Sequence, residues 1–153
     1  MAQAPLFQPE PFGPYLLTAH LGRGGMADVF KARVEGVAGF ARHVVVKRIL
    51  KVHTEEPHFV EMFINEAKIA ARLSHPNVVG VYELGEVNGE LFMALEYVRG
   101  QDLLRVMRAS AQAGEAAPPP QIAAYIVREI GKALAHAHDH IDENGAPRPI
   151  IHR

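Results

Sequence analysis

The segment Gly22-Arg23-Gly24-Gly25 lies between two stretches of alternating apolar and polar residues, and this juxtaposition restricts the fold more than any other feature. Before the glycines, Leu17, Ala19 and Leu21 alternate with Thr18 and His20; after them, Val29, Phe30, Ala32 and Val34 read as a returning strand. A two-residue period turns one side of each stretch toward a core. A dinucleotide-binding fold requires a helix directly after its glycines, with the helix N-terminus facing the pyrophosphate. The β-like run Val29–Val34 argues against that fold. A phosphate loop of the Walker type needs Gly-Lys-Ser/Thr, which this segment lacks. What remains is a β-hairpin, and two readings of it stay open: a plain turn, or a turn whose main-chain amides close over phosphates.

The rest of the chain extends the pattern. Gly36 and Gly39 mark a loop, and His43–Ile49 reads as a third strand centred on Val44, Val45 and Val46. A helix is expected from Pro57, a favoured first-turn residue, to Leu73, with a stripe of Phe59, Met62, Phe63, Ile69, Ala70 and Leu73. Two further strands, 78–84 and 91–98, flank the tight-turn pair Asn88-Gly89. Asp102 can cap a short helix through Met107. A second long helix is expected from about Ile122 to His140, with Ile126, Ile130, Leu134 and Ala137 on its buried face. The order β-β-β-α-β-β followed by helices is α+β. Four prolines in residues 1–14 predict a mobile arm ahead of it.

Two charges stand out against this frame. Lys47 shares a strand face with Val45 and Ile49, and Glu66 falls inside the apolar stripe of the first helix. An unpaired ion against a packed surface is costly, so the two are expected to pair with each other. Such a pair can simply fix register, or it can present a lysine to phosphates behind the glycine hairpin.

The glycine segment, the strand Val44-Val45-Val46-Lys47, Glu66 nineteen residues on, Leu95-Glu96-Tyr97-Val98 and Ile150-Ile151-His152-Arg153 together resemble a protein kinase catalytic domain, of the eukaryotic-like bacterial serine/threonine type. The resemblance runs from about Tyr15 to Arg153. It implies a kinase N-lobe over residues 15–98, with a five-stranded antiparallel sheet and helix C, and the hinge exit and first helices of the C-lobe over 99–153. It also implies ATP and Mg²⁺ as cofactors and unidentified proteins as substrates. By the same resemblance Leu21, Gly22, Arg23, Gly24 and Gly25 form the phosphate-covering turn, while Val29 packs on the adenine and Val45 lines the pocket roof. Lys47 binds the α- and β-phosphates and pairs with Glu66. Leu95 is the gatekeeper, Glu96 and Val98 belong to the hinge, and Asp102 meets the ribose. His152 and Arg153 open the catalytic-loop motif.

Ala27 stands where the family has its third glycine, a small change that stiffens the turn. The catalytic aspartate would follow Arg153, and the magnesium-holding positions come later still, so no metal ligand is assigned. The 153 residues alone are therefore expected to be inactive. The alternative to a working kinase is an inactive, pseudokinase-like module that binds nucleotide or a partner.

Composition removes other classes. With 16 basic and 17 acidic residues the net charge is −1, so no global field recruits nucleic acid or anionic membrane. There is no cysteine, which excludes disulfides, thiolate zinc sites and cysteine nucleophiles. No apolar run reaches membrane-span length, and the N-terminus lacks a secretory signal pattern, so a cytoplasmic protein is expected. His136, His138 and His140 read as solvated helix histidines, Arg48 and Lys51 as a solvated basic face, and Asp28 as a surface residue.

Overall fold

Strand alternation in the first fifty residues produces a sheet, and a helix then packs on one of its faces. The computed structural model describes residues 7–114, 118–142 and 144–151. The strands are β1 (Glu10–Phe12), β2 (Tyr15–Arg23), β3 (Ala27–Glu35), β4 (Ala41–Ile49), β5 (Val81–Val87) and β6 (Glu90–Glu96). The helices are α1 (Pro57–Ala71), α2 (Leu103–Gln112) and α3 (Pro120–His138). All strand pairs are antiparallel, in the order β1-β2-β3-β4-β6-β5.

Six strands form where five were expected, because Glu10–Phe12 of the proline-rich segment pairs with β2. Pro11 is tolerated since β1 is an edge strand, whose missing amide costs no ladder bond. Phe12 is buried and meets Phe92 edge to face at 5.4 Å. Arg48, far from being solvated, is only 15% exposed and lies over the rings of Phe12 (5.3 Å) and Phe30 (4.8 Å), with Glu10 and Glu90 as ion-pair partners. Cation, rings and carboxylates together hold β1 on the sheet.

Each sheet face has its own core. Phe12, Leu17, Phe30, Val44, Val46 and Phe92 form one cluster. Here the sheet curls upon itself: the Tyr15 hydroxyl on β2 donates to Glu83 on β5 at 2.6 Å, and burial with that carboxylate pushes the phenol's pKa up. The opposite face carries Ala27, Ile49 and Met93 against Phe63 and Ala67 of α1. The contact stripe of α1 is narrower than its apolar pattern. Phe63 and Ala67, one turn apart, are its buried residues, whereas Met62 and Ile69 stay more than 40% exposed. Asn88 and Gly89 both have positive φ (51° and 80°), the conformation a two-residue hairpin with native strand twist requires.

The chain divides into two compact units, one up to Arg72 together with Val79–Tyr97, the other Leu73–Val78 with the residues from Val98 onward. Leu73–Val78 belongs to the second because the Asn77 side-chain amide donates to the carbonyl (3.1 Å) and carboxylate (2.9 Å) of Glu129 on α3. Hydrogen bonds from Lys132, Asn77 and Arg128 hold the Glu129 carboxyl at a pKa of about 2. His136 is not freely solvated either: its Nε2 is buried without a hydrogen-bond partner and its ring lies 5.3 Å from that of His75. Ile122, Ile130 and Leu134 of α3 remain at least 40% exposed. No described helix is long and apolar enough to cross a membrane.

Candidate functional site

Sheet register places the expected residues of the first unit. Gly22 pairs with Val29, Val29 with Lys47, Lys31 with Val45, and Val45 with Leu95. Directly paired residues share a face, so Gly22, Val29, Val45, Lys47 and Leu95 line the side of the sheet that α1 also joins. Leu21 sits at a register shift in β2 and is 46% exposed.

Lys47 reaches α1. Its Nζ donates to both carboxylate oxygens of Glu66, at 2.5 and 2.7 Å, and lies 5.9 Å from the Phe63 ring centroid. The lysine side chain is 19% exposed, but Glu66 is 43% exposed and not sealed in the stripe as expected. Helix geometry explains this. Glu66 precedes the buried Ala67 by one position, so it lies at the margin of the contact stripe. The pair thus stands at the boundary between core and solvent, open to an incoming anion.

The glycine turn closes with the Gly24 amide donating to the Ala27 carbonyl at 2.8 Å. A Cβ built on Gly22 or Gly25 would meet nothing within 4 Å, and neither residue has a positive φ. Neither internal packing nor backbone conformation therefore calls for glycine at those positions. Ala27 carries its methyl into the core beside Ile49 and Phe63.

Sequence reading missed the neck of this hairpin. Asp28 is buried rather than exposed. Its carboxylate accepts from Arg23 Nε (2.7 Å), Arg23 Nη2 (2.6 Å) and His20 Nε2 (2.9 Å). The arginine hydrogen bond leads in holding its pKa near 2, below the ordinary carboxylate value. Asp28 pairs with Arg48 in register, so Arg23 and Asp28 occupy the face opposite Lys47. Any phosphate contact by Arg23 consequently falls to its main chain. The signal was present in the alternation, which puts position 28 with the buried Phe30 and Ala32.

At the end of β6, the Glu96 amide donates to the Gly80 carbonyl (2.8 Å) and its carboxylate accepts from the Gly80 amide (3.3 Å). Its N–H is therefore committed within the sheet. Tyr97 lies under Lys31 Nζ (4.8 Å) and beside His43 (6.0 Å), a clamp that the sequence did not suggest. In the second unit Val98 is 62% exposed. Asp102 caps α2 by accepting from the Arg105 amide at 2.9 Å, and its second carboxylate oxygen lies 3.3 Å from Arg105 Nε. His152 and Arg153 lie outside the described residues.

Comparison with known proteins agrees with this geometry. The profile of the family described as protein kinase domain matches residues 15–153. The chain is 40% identical over 144 residues to the tyrosine-protein kinase MasK of Myxococcus xanthus, covering 94% of this chain and 22% of that protein. It is 39% identical over 127 residues to the serine/threonine-protein kinase PknE of Mycobacterium tuberculosis, covering 83% and 21%. The solved kinase domain of Mycobacterium tuberculosis PknI superposes with a TM-score of 0.61 at 30% identity, over 90% of this chain and 53% of that one. The chain thus spans about one fifth of those curated relatives and about half of the solved domain.

Proposed function

The chain belongs to the protein kinase family, and from that premise we propose that it is the ATP-binding portion of a serine/threonine kinase, which moves the γ-phosphoryl of ATP to protein hydroxyls. The observation that carries this reading is the Lys47–Glu66 pair on the sheet face that Lys47 shares with Gly22 and Val29. Phosphoryl transfer relies on positioning and charge neutralisation more than on covalent help from the protein. In this role Glu66 holds the ammonium of Lys47 in place, and the ammonium offsets charge on the α- and β-phosphates. The bare backbone of Gly22–Gly25 covers the phosphates, while Val29 and Val45 supply apolar contact for the adenine and Leu95 bounds its pocket. Glu96 and Val98 read the adenine edge through main-chain groups, with the Glu96 carbonyl as acceptor because its N–H is spent on Gly80. The Asp102 carboxylate contacts the ribose, giving up its ion pair with Arg105 to do so.

Protein kinases work with magnesium, which neutralises phosphate charge when bound. Among the described residues no group of three or more His, Cys, Asp or Glu side chains converges for a metal, so no residue here is assigned to it. We take residues 15–98 as the N-lobe and 99–153 as the start of the helical lobe, and place the domain in the cytoplasm, where ATP is available.

The acceptor hydroxyl needs its own test, since PknE is named a serine/threonine kinase and MasK a tyrosine kinase. The full-length protein, given Mg²⁺ and γ-labelled ATP, is expected to yield phosphoserine and phosphothreonine on acid hydrolysis. Phosphotyrosine alone would overturn the serine/threonine assignment, and absence of transfer would favour a module that binds nucleotide without chemistry.

A further inference from the structure

His53 lies in the short 3-10 turn Lys51–His53 that links β4 to α1, and the nucleotide-site reading gives it no role. Both its ring nitrogens face acceptors. Nδ1 is 2.8 Å from Glu56 Oε1, and Nε2 is 3.2 Å from the carbonyl oxygen of Gly25, in the middle of the glycine turn. The ring stacks on Phe59 with centroids 3.8 Å apart. A carboxylate oxygen and a carbonyl oxygen can only accept, so both bonds form only if both nitrogens carry protons. A neutral imidazole has one N–H, whereas an imidazolium has two.

We propose that His53 is a positioning residue whose imidazolium form ties the tip of the glycine turn to the start of α1. The functional side of this inference rests on the reading of that turn as the phosphate-covering loop. Glu56 immediately precedes Pro57 at the N-terminus of α1, the helix that carries Glu66. His53 therefore joins two parts of the phosphate site that the sheet alone does not hold in register. When His53 is neutral, its single N–H goes to the charged acceptor Glu56, because charge-assisted bonds are the stronger ones. The Nε2 lone pair then faces the Gly25 carbonyl, and the tie opens. The tie is closed while the ring carries both protons and opens when it gives one up.

The surrounding charges fit this arrangement. Glu56 is bonded to the ring, Lys51 is turned toward Glu90, Arg23 toward Asp28, and His58 packs edge-on to Phe59. The positive end of α1 opposes the cation, and Glu56 offsets it. Loss of the tie frees only the tip, because the Leu50 amide still donates to the Met26 carbonyl at 2.9 Å.

The test is amide hydrogen exchange at Gly24, whose N–H closes the turn on Ala27, corrected for the intrinsic pH dependence. In the unmodified chain, protection at Gly24 is expected to fall about fivefold between a mildly acidic and a mildly alkaline pH, the worth of one such hydrogen bond. In His53→Gln and His53→Ala it should not change with pH. In Glu56→Gln it should stay high at both values, since the new amide can donate to Nδ1 and leave the neutral ring's N–H for Gly25. Equal protection at both pH values in the unmodified chain would overturn the proposal, as would protection lost at both in Glu56→Gln. ATP affinity measured alongside, as the difference between the unmodified chain and His53→Gln, should follow the same profile. A chain with pH-dependent protection that binds no ATP would refute the nucleotide reading and leave the tie standing.

Discussion

Lys47→Met is expected to weaken ATP binding by at least about tenfold, the worth of a lost charge-assisted bond, while leaving the fold nearly as stable as before. The two effects separate because of where the pair sits. Breaking a fully buried ion pair strands a charge in the core and costs about 3–5 kcal/mol. Glu66, however, is 43% exposed, so water solvates it once Lys47 is gone. Met is an unbranched apolar side chain that can lie where the lysine extends toward the Phe63 ring. The stability change should therefore stay within about 1 kcal/mol, the range of exposed pairs. Calorimetric titration with ATP and urea denaturation of the same protein check both halves. Undiminished ATP affinity would remove Lys47 from the phosphate site; a loss of stability near that of a buried pair would mean Glu66 is less accessible than described.

Phe63→Ala is expected to produce the opposite division. Phe63 is fully buried where α1 meets the sheet, against Ala27, Ile49 and Met93. Truncating a buried phenylalanine costs about 3–5 kcal/mol through lost burial and the cavity left behind. Against a typical domain stability of about 5–15 kcal/mol this is a large share. The urea midpoint should fall sharply. ATP affinity should fall with it, because Glu66 lies less than one helical turn away and loses its anchor. A loss below about 1 kcal/mol would mean that the site collapses around the cavity, and that α1 is held by something other than this contact.

The sheet and helices were legible because their signals are local. Alternation fixes strands, Asn88-Gly89 fixes a turn, and Pro57 opens a helix. The Lys47–Glu66 pairing was also legible, since two charges on otherwise apolar faces have few ways to be satisfied. What was misread depends on contacts distant in sequence. β1 forms because Arg48 and Phe92 receive Phe12, and nothing within residues 1–14 announces those partners. The same arginine looks solvated until Phe12 and Phe30 are brought around it. Asp28 was misread by residue type. Its place in the alternation marks it as buried, but an acid is expected outside until Arg23 and His20 are seen to satisfy it. His53 could not have been found from sequence, because its role arises from the meeting of Gly25 and Glu56.

The central claim is that residues 15–98 form a nucleotide site that reads adenine through main-chain groups at Glu96–Val98 and phosphates through Lys47. Competitive calorimetry of the 153-residue chain with ATP and GTP tests it most directly. GTP presents a carbonyl where ATP presents an amine, which leaves a main-chain acceptor facing an acceptor and costs about 1–3 kcal/mol. ATP should therefore bind at least about fivefold more tightly than GTP, whereas equal affinities, or no binding of either, would contradict the claim.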